Sequence, residues 1–177
     1  MGSIAEFEKT ALVMGILSSC PKRFDLLLAK LQSHYGQIYR LEGPFPFTFT
    51  HYYDDEMGTP ISRYFAMFER LVDPVSLSDI KHETNELEIE FSQDGKRIFN
   101  LDPGILSAGN FILATTKNRS HRVPLQKGMY AEVTLLYMNK SFQSFAWTYA
   151  DYRSEQFKEL FKNLRHDYLE MLRRTGS

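Results

Sequence analysis

The stretch Thr10-Ala-Leu-Val-Met-Gly-Ile-Leu17, then Ser18-Ser-Cys-Pro21, then Phe24, Leu27, Leu28, Leu31 and Tyr35, decides how the chain is to be read. The nearly continuous apolar run has the length of a strand and the composition of one covered on both faces, which places it centrally in a sheet. Ser18 and Ser19 offer caps, Pro21 suits a first helical turn, and the apolar residues that follow repeat at helical spacing until Gly36 closes the helix. The turn lacks the glycines of a P-loop or a dinucleotide fingerprint, so a plain capped connection is predicted there rather than a phosphate site. Cys20 stands without an identifiable base and reads as a small buried residue, not a reactive thiol.

Downstream of this strand-turn-helix unit, residues 37–41 suit a second strand. In Gly43-Pro-Phe-Pro-Phe-Thr-Phe-Thr-His-Tyr-Tyr53, Phe45, Phe47, Phe49 and His51 alternate with Thr48, Thr50 and Tyr52, the pattern of a strand whose prolines put its start at an edge. Asp54-Asp-Glu56 reads as an exposed turn. Residues 62–72 form a further strand with one charge on each face: Arg70 is assigned to the surface, and Glu69 to either a strand end or a polar pocket. Ser76 and Asp79 have capping-box spacing ahead of a helix with Leu77, Ile80, Thr84, Leu87 and Phe91 inward, while Glu83, Glu86, Glu88 and Glu90 read as its solvated face.

Residues 96–101 read as a strand stopped by Asp102-Pro-Gly104, with residues 111–116 and 130–138 as further strands. Asn139-Lys140 makes a tight turn into residues 141–147, and Ser154 caps a last helix with Phe157, Leu160, Phe161, Leu164 and Tyr168 inward. These elements predict one α/β domain over residues 1–177, with an ordered core of about 9–173. Its mixed sheet would have about six or seven strands, partly parallel at the start and antiparallel at the hairpin, with about three helices packed on it; α+β is the neighbouring class.

Polar chemistry concentrates between Asp102 and Glu132, where Lys117, Arg119, His121, Arg122 and Lys127 occur with no acid among them. Such a cluster repels itself unless water or an anion relieves it, and a phosphate suits paired Arg donors, a Lys point charge and a His able to donate a proton. Asn100 and Asp102 share one face at a strand end, where ligand groups collect in open α/β sheets. Glu132 lies inside a strand, so a neighbouring cation is its expected partner.

A net charge of -1 and a sequence pI near 6.5 supply no global field for a nucleic-acid backbone, so any such contact is local. One cysteine excludes an internal disulfide and a Cys-rich zinc site. No segment has the uncharged length of a membrane span or the layout of a signal peptide, and cytoplasm is the compartment expected.

The segments Gly43-Pro-Phe-Pro-Phe-Thr-Phe-Thr-His-Tyr-Tyr53, Phe68-Glu-Arg-Leu-Val-Asp-Pro74, Asn100-Leu-Asp-Pro-Gly104, Ala114-Thr-Thr-Lys117, His121-Arg122, Tyr130-Ala-Glu-Val-Thr134 and Thr148-Tyr-Ala-Asp-Tyr152 together resemble DUF4416, a bacterial domain of unknown function. The resemblance spans nearly the whole chain and brings no catalytic residues with it. From the residues themselves, the expected function is binding of a phosphorylated small molecule or nucleotide, extending to metal-assisted phosphoryl hydrolysis or transfer. Asp102, His121 and Glu132 would be catalytic, Asn100, Lys117, Arg119, Arg122 and Glu69 would bind the ligand, and Mg2+ is the cation considered. The alternative is a non-catalytic interaction domain that meets a protein partner through residues 45–53.

Overall fold

The computed structural model describes residues 2–175; Met1, Gly176 and Ser177 lie outside the described residues. The opening apolar run is β1 (Thr10–Ser18), buried along its whole length. Its alternation explains why no polar face is visible. Ala11 and Val13 pack into one core, and Leu12, Met14 and Ile16 into another on the opposite face of the sheet.

β1 pairs antiparallel with β3 (Ser62–Val72) on one side and β4 (Phe99–Leu106) on the other. The remaining strands are β2 (Ile38–Pro46), β5 (Asn110–Thr115), β6 (Val123–Pro124), β7 (Tyr130–Met138) and β8 (Ser141–Ser144). They extend one sheet in the order β2-β3-β1-β4-β5-β7-β6, with β8 on β7. Every neighbouring pair is antiparallel, which corrects the partly parallel start expected from the strand-turn-helix unit. β1 and β2 do run in the same direction, but β3 lies between them, and β1 likewise separates β3 from β4. The two crossovers therefore form interleaved split β-α-β units in the order β4-β1-β3-β2, the ferredoxin-like arrangement.

The crossover helices α1 (Phe24–Tyr35) and α3 (Leu77–Glu90) cover one face, using the inward residues read from their spacing. The long α4 (Glu155–Thr175) covers the other, with Phe157, Phe161, Leu164 and Tyr168 buried against Phe65, Phe111 and Phe142. The Ser154 hydroxyl accepts from the Phe157 amide at 3.2 Å, as expected of its cap. No helix among the described residues is long and apolar enough to cross a membrane.

Five local expectations are corrected. Past Pro46, residues 47–53 leave the sheet as a loop, because the Phe47 amide reaches the Ile61 carbonyl and no ladder continues beyond it. Asp54 begins a short helix, α2 (Asp54–Met57), with Met57 buried, instead of the exposed turn expected. Ser76 and Asp79 form no capping box: Asp73 accepts from the Val75 amide, and Asp79 pairs with Lys127 at 2.8 Å. Glu88 is buried, accepting from the Leu101 amide at 2.6 Å and from Arg97 at 2.8 Å.

Asp102-Pro103-Gly104 does not stop β4, which runs through it. β5 pairs with β4 only from Gly104 onward, so Pro103 sits where one edge of the strand is open and its missing donor is tolerated. The sheet thus splits beside Asp102. Gly104 faces the buried Phe111 ring across the β4–β5 pair, and an added Cβ would fall inside contact distance of that ring. Gly104→Ala is expected to cost about 1–3 kcal/mol by overpacking, checked by urea denaturation.

Candidate ligand-binding cavity

The split between β4 and β5 and the loop of residues 47–53 frame a cavity of about 310 Å³. Phe47, Phe49, Tyr52, Tyr53 and Tyr149 form its walls, with Arg63, Asp102 and Asp151 deeper and Lys117 on the rim. Arg63 enters from the start of β3, on the same face as Phe65 and Met67. It is only 4% exposed. Its Nη2 donates to Asp151 Oδ2 at 2.7 Å, and its Nη1 lies 3.7 Å from Asp102 Oδ2. The rings of Phe47, Phe65 and Tyr152 surround the guanidinium with centroids 5.2, 5.7 and 5.6 Å away.

Burial disfavours the charge on Arg63, but the electrostatic influence of Tyr152, Asp151 and Asp102 outweighs it and holds the group above its ordinary pKa. Burial also raises Tyr53 and Tyr152 above the usual phenol range, so both are neutral hydrogen-bond donors at pH 7. Arg63 Nε, Arg63 Nη1 and the Tyr152 hydroxyl are buried without a hydrogen-bond partner. Three unspent donors beside an aromatic cavity are costly unless something accepts from them. Gly15 of β1 makes room for the group: a Cβ there would lie 2.8 Å from the Tyr152 hydroxyl and 3.2 Å from Arg63 Nη1.

Asp102 Oδ2 accepts from Asn100 Nδ2 at 2.9 Å, and Asp102 Oδ1 lies 3.9 Å from Lys81 Nζ. Lys81 donates to the Leu101 carbonyl at 2.7 Å while Glu88 takes the Leu101 amide, so two α3 side chains grip the peptide groups on either side of one β4 residue. Arg97 binds both Glu56 carboxylate oxygens, at 2.6 and 2.7 Å, and also reaches Glu88 and Asn100, tying α2 to α3 and β4.

Behind this wall, Glu132 is 1% exposed and accepts from Arg122 Nε at 2.7 Å. His121 Nε2 lies 2.9 Å from the same Glu132 oxygen, and the imidazole stacks on Trp147 with centroids 4.9 Å apart. Arg122 also donates to the Lys117 carbonyl at 2.7 Å and the Tyr149 hydroxyl at 3.1 Å. Through Arg122, Glu132 fixes two residues that line the cavity.

A family model described as a domain of unknown function (DUF4416) matches residues 8–168. The chain belongs to the DUF4416 family. No curated protein and no solved structure matches it.

In this DUF4416 chain, the eight residues singled out in the sequence separate into three groups. Asn100, Asp102 and Lys117 come together around the cavity and the cleft beside it. His121, Arg122 and Glu132 form the clamp behind. Arg119 and Glu69 stand apart: both are exposed, and Glu69 is six residues along β3 from Arg63, about 20 Å at strand rise. No three His, Cys, Asp or Glu side chains among the described residues converge as metal ligands would, so no cation site is assigned to Asp102, Glu132 and Glu69.

Sequence reasoning missed Arg63, Asp151 and Tyr152. Arg63 carried a usable signal, a charge in line with the apolar face of Phe65 and Met67. Asp151 had none of that kind, because its segment is irregular and pairs with Arg63 from 88 positions away.

Proposed function

We propose that this protein binds a phosphorylated small molecule carrying a planar ring, of the nucleotide type, in the cytoplasm. The observation that carries the reading is Arg63, a buried cation with unspent donors on an aromatic-walled cavity. A volume of about 310 Å³ is in the range of small-molecule sites. Tyr and Phe walls offer stacking surfaces to a ring. Donors from Arg63 and Tyr152 beside the carboxylate of Asp102 suit the mixed donor and acceptor edge of a heterocycle. Lys117, exposed at the rim, suits an anionic substituent. In hydrolysis at phosphorus, Asp102 would take a proton from the attacking water and return it to the leaving oxygen as the ester P–O bond breaks, since its side chain is 28% exposed and Asp151 and Glu132 are fully enclosed.

A thermal-shift panel of nucleotides, sugar phosphates and ring-bearing phosphate esters, with and without Mg2+, tests the reading. A ligand at about a hundred times its Kd adds roughly 2.7 kcal/mol, or about 5–10 °C for a chain of this size. A flat response across the panel contradicts it.

A further inference from the structure

We infer that the ligand's phosphate occupies a second chamber beside the aromatic cavity, held by Lys81 and Lys117, while the ring stays in the first; this rests on the ring-binding reading above. The second chamber has a volume of about 300 Å³ and opens where β5 leaves β4. Tyr52, Tyr53, Asp102, Lys117 and Tyr149 line both spaces, so one molecule can extend from one into the other.

The chamber's cations differ in what they have left to give. Arg97 is consumed by Glu56, Glu88 and Asn100, so it builds the wall. Lys81 is buried, yet its ammonium makes one hydrogen bond, to the Leu101 carbonyl at 2.7 Å. The nearest carboxylates, Asp102 and Glu88, lie 3.9 and 4.0 Å away, beyond hydrogen-bond reach. An ammonium has three donors, so two remain for a ligand. Lys117 reaches the Tyr52 hydroxyl at 3.3 Å, lies over the same ring at 4.7 Å from its centroid, and is exposed. Neutral donors are added by Asn85, Thr115 and Thr116.

Asp102 sets the order of groups along the ligand. It lies at the junction of the two chambers, where a carboxylate repels a phosphate and accepts from hydroxyls. A ring, then a hydroxylated linker, then a phosphate monoester is the sequence of groups that meets aromatic walls, Asp102 and the two lysines in turn. A nucleoside 5′-monophosphate has that order.

Titration calorimetry with adenosine, guanosine, cytidine and uridine and with their 5′-monophosphates tests this on the wild-type protein, Lys117→Ala and Lys81→Gln. The expected result is that a monophosphate binds about tenfold or more tightly than its nucleoside, and that each variant removes about that factor from the monophosphate alone. Lys117 is exposed, so its variant keeps the test readable if Lys81→Gln does not fold. Equal affinity for nucleoside and monophosphate, or an unchanged ratio in Lys117→Ala, overturns the phosphate assignment and leaves ring binding standing. No binding by any of the eight compounds overturns the nucleotide assignment, and the wider thermal-shift panel then decides whether ring binding falls with it.

Discussion

Arg63→Met is expected to lower the unfolding free energy by about 3–5 kcal/mol and to abolish ligand binding. The substitution keeps an unbranched side chain of similar reach, so lost packing is the smaller part of the effect. The larger part falls on Asp151, which is 2% exposed and receives Arg63 Nη2 at 2.7 Å. Without the guanidinium, that carboxylate is a buried charge left with the Tyr152 amide, which donates to its Oδ1 at 2.9 Å, and with no cation beside it. Pairing Arg63→Met with Asp151→Leu removes both charges and is expected to recover most of the stability while binding stays lost. Urea denaturation of the two single variants and the double variant reads the coupling. Stability of Arg63→Met equal to wild type would show that the ion pair does not hold this end of the sheet together.

Glu132→Ala is expected to cost about 3 kcal/mol or more, because one carboxylate serves two partners. Its loss leaves the Arg122 guanidinium, whose side chain is 6% exposed, with only the Lys117 carbonyl and Tyr149 hydroxyl and no counter-charge, and releases His121 from the hydrogen-bonded half of its contact with β7 and Trp147. β7 itself keeps its ladders to β5, β6 and β8, so the damage concentrates in residues 117–122. Faster amide hydrogen exchange across that loop, with little change in α1 and α3, is the accompanying result. Glu132→Gln keeps an acceptor for Arg122 and is expected to lose about half as much. A variant whose loop exchanges no faster than wild type would mean that Arg122 is held by its contacts to Lys117 and Tyr149 alone.

The sheet's centre was legible because β1 is buried on both faces and its apolar run has no other economical reading. The helices were legible from residues such as Leu77, Ile80, Leu87 and Phe91, whose spacing fixes an inner stripe wherever the helix is placed. Strand order was not legible. A β-α-β segment reads the same whether its strands pair directly or admit an antiparallel strand between them, and here β3 is inserted. Residues 47–53 misled because alternating Phe and Thr satisfy strand periodicity equally well when the aromatics wall a cavity. Asp102-Pro103-Gly104 misled because turn chemistry is also tolerated where a strand has lost one neighbour.

At the candidate site, the basic segment lies beside the cavity, but its side chains are held differently from the expectation. His121 and Arg122 both meet the same Glu132 oxygen, so no anion is needed to hold them together. The cation of the cavity floor is Arg63, which sits 39 positions before Asp102 and 88 before Asp151, separations at which spacing in one sequence carries no information. Glu88 shows the same limit, since an acid within an acidic run reads as solvated until the strand beneath it presents the Leu101 amide.

Amide chemical-shift mapping of the labelled protein with the four nucleoside 5′-monophosphates tests the central claim most directly. Binding in the aromatic cavity predicts shifts concentrated in residues 47–53, at Arg63, Asp102 and Lys117, and in residues 149–152, with Arg63→Met losing them. Shifts confined to the α1 and α3 face or to the exposed N-terminal residues, or none with any of the four, would contradict it.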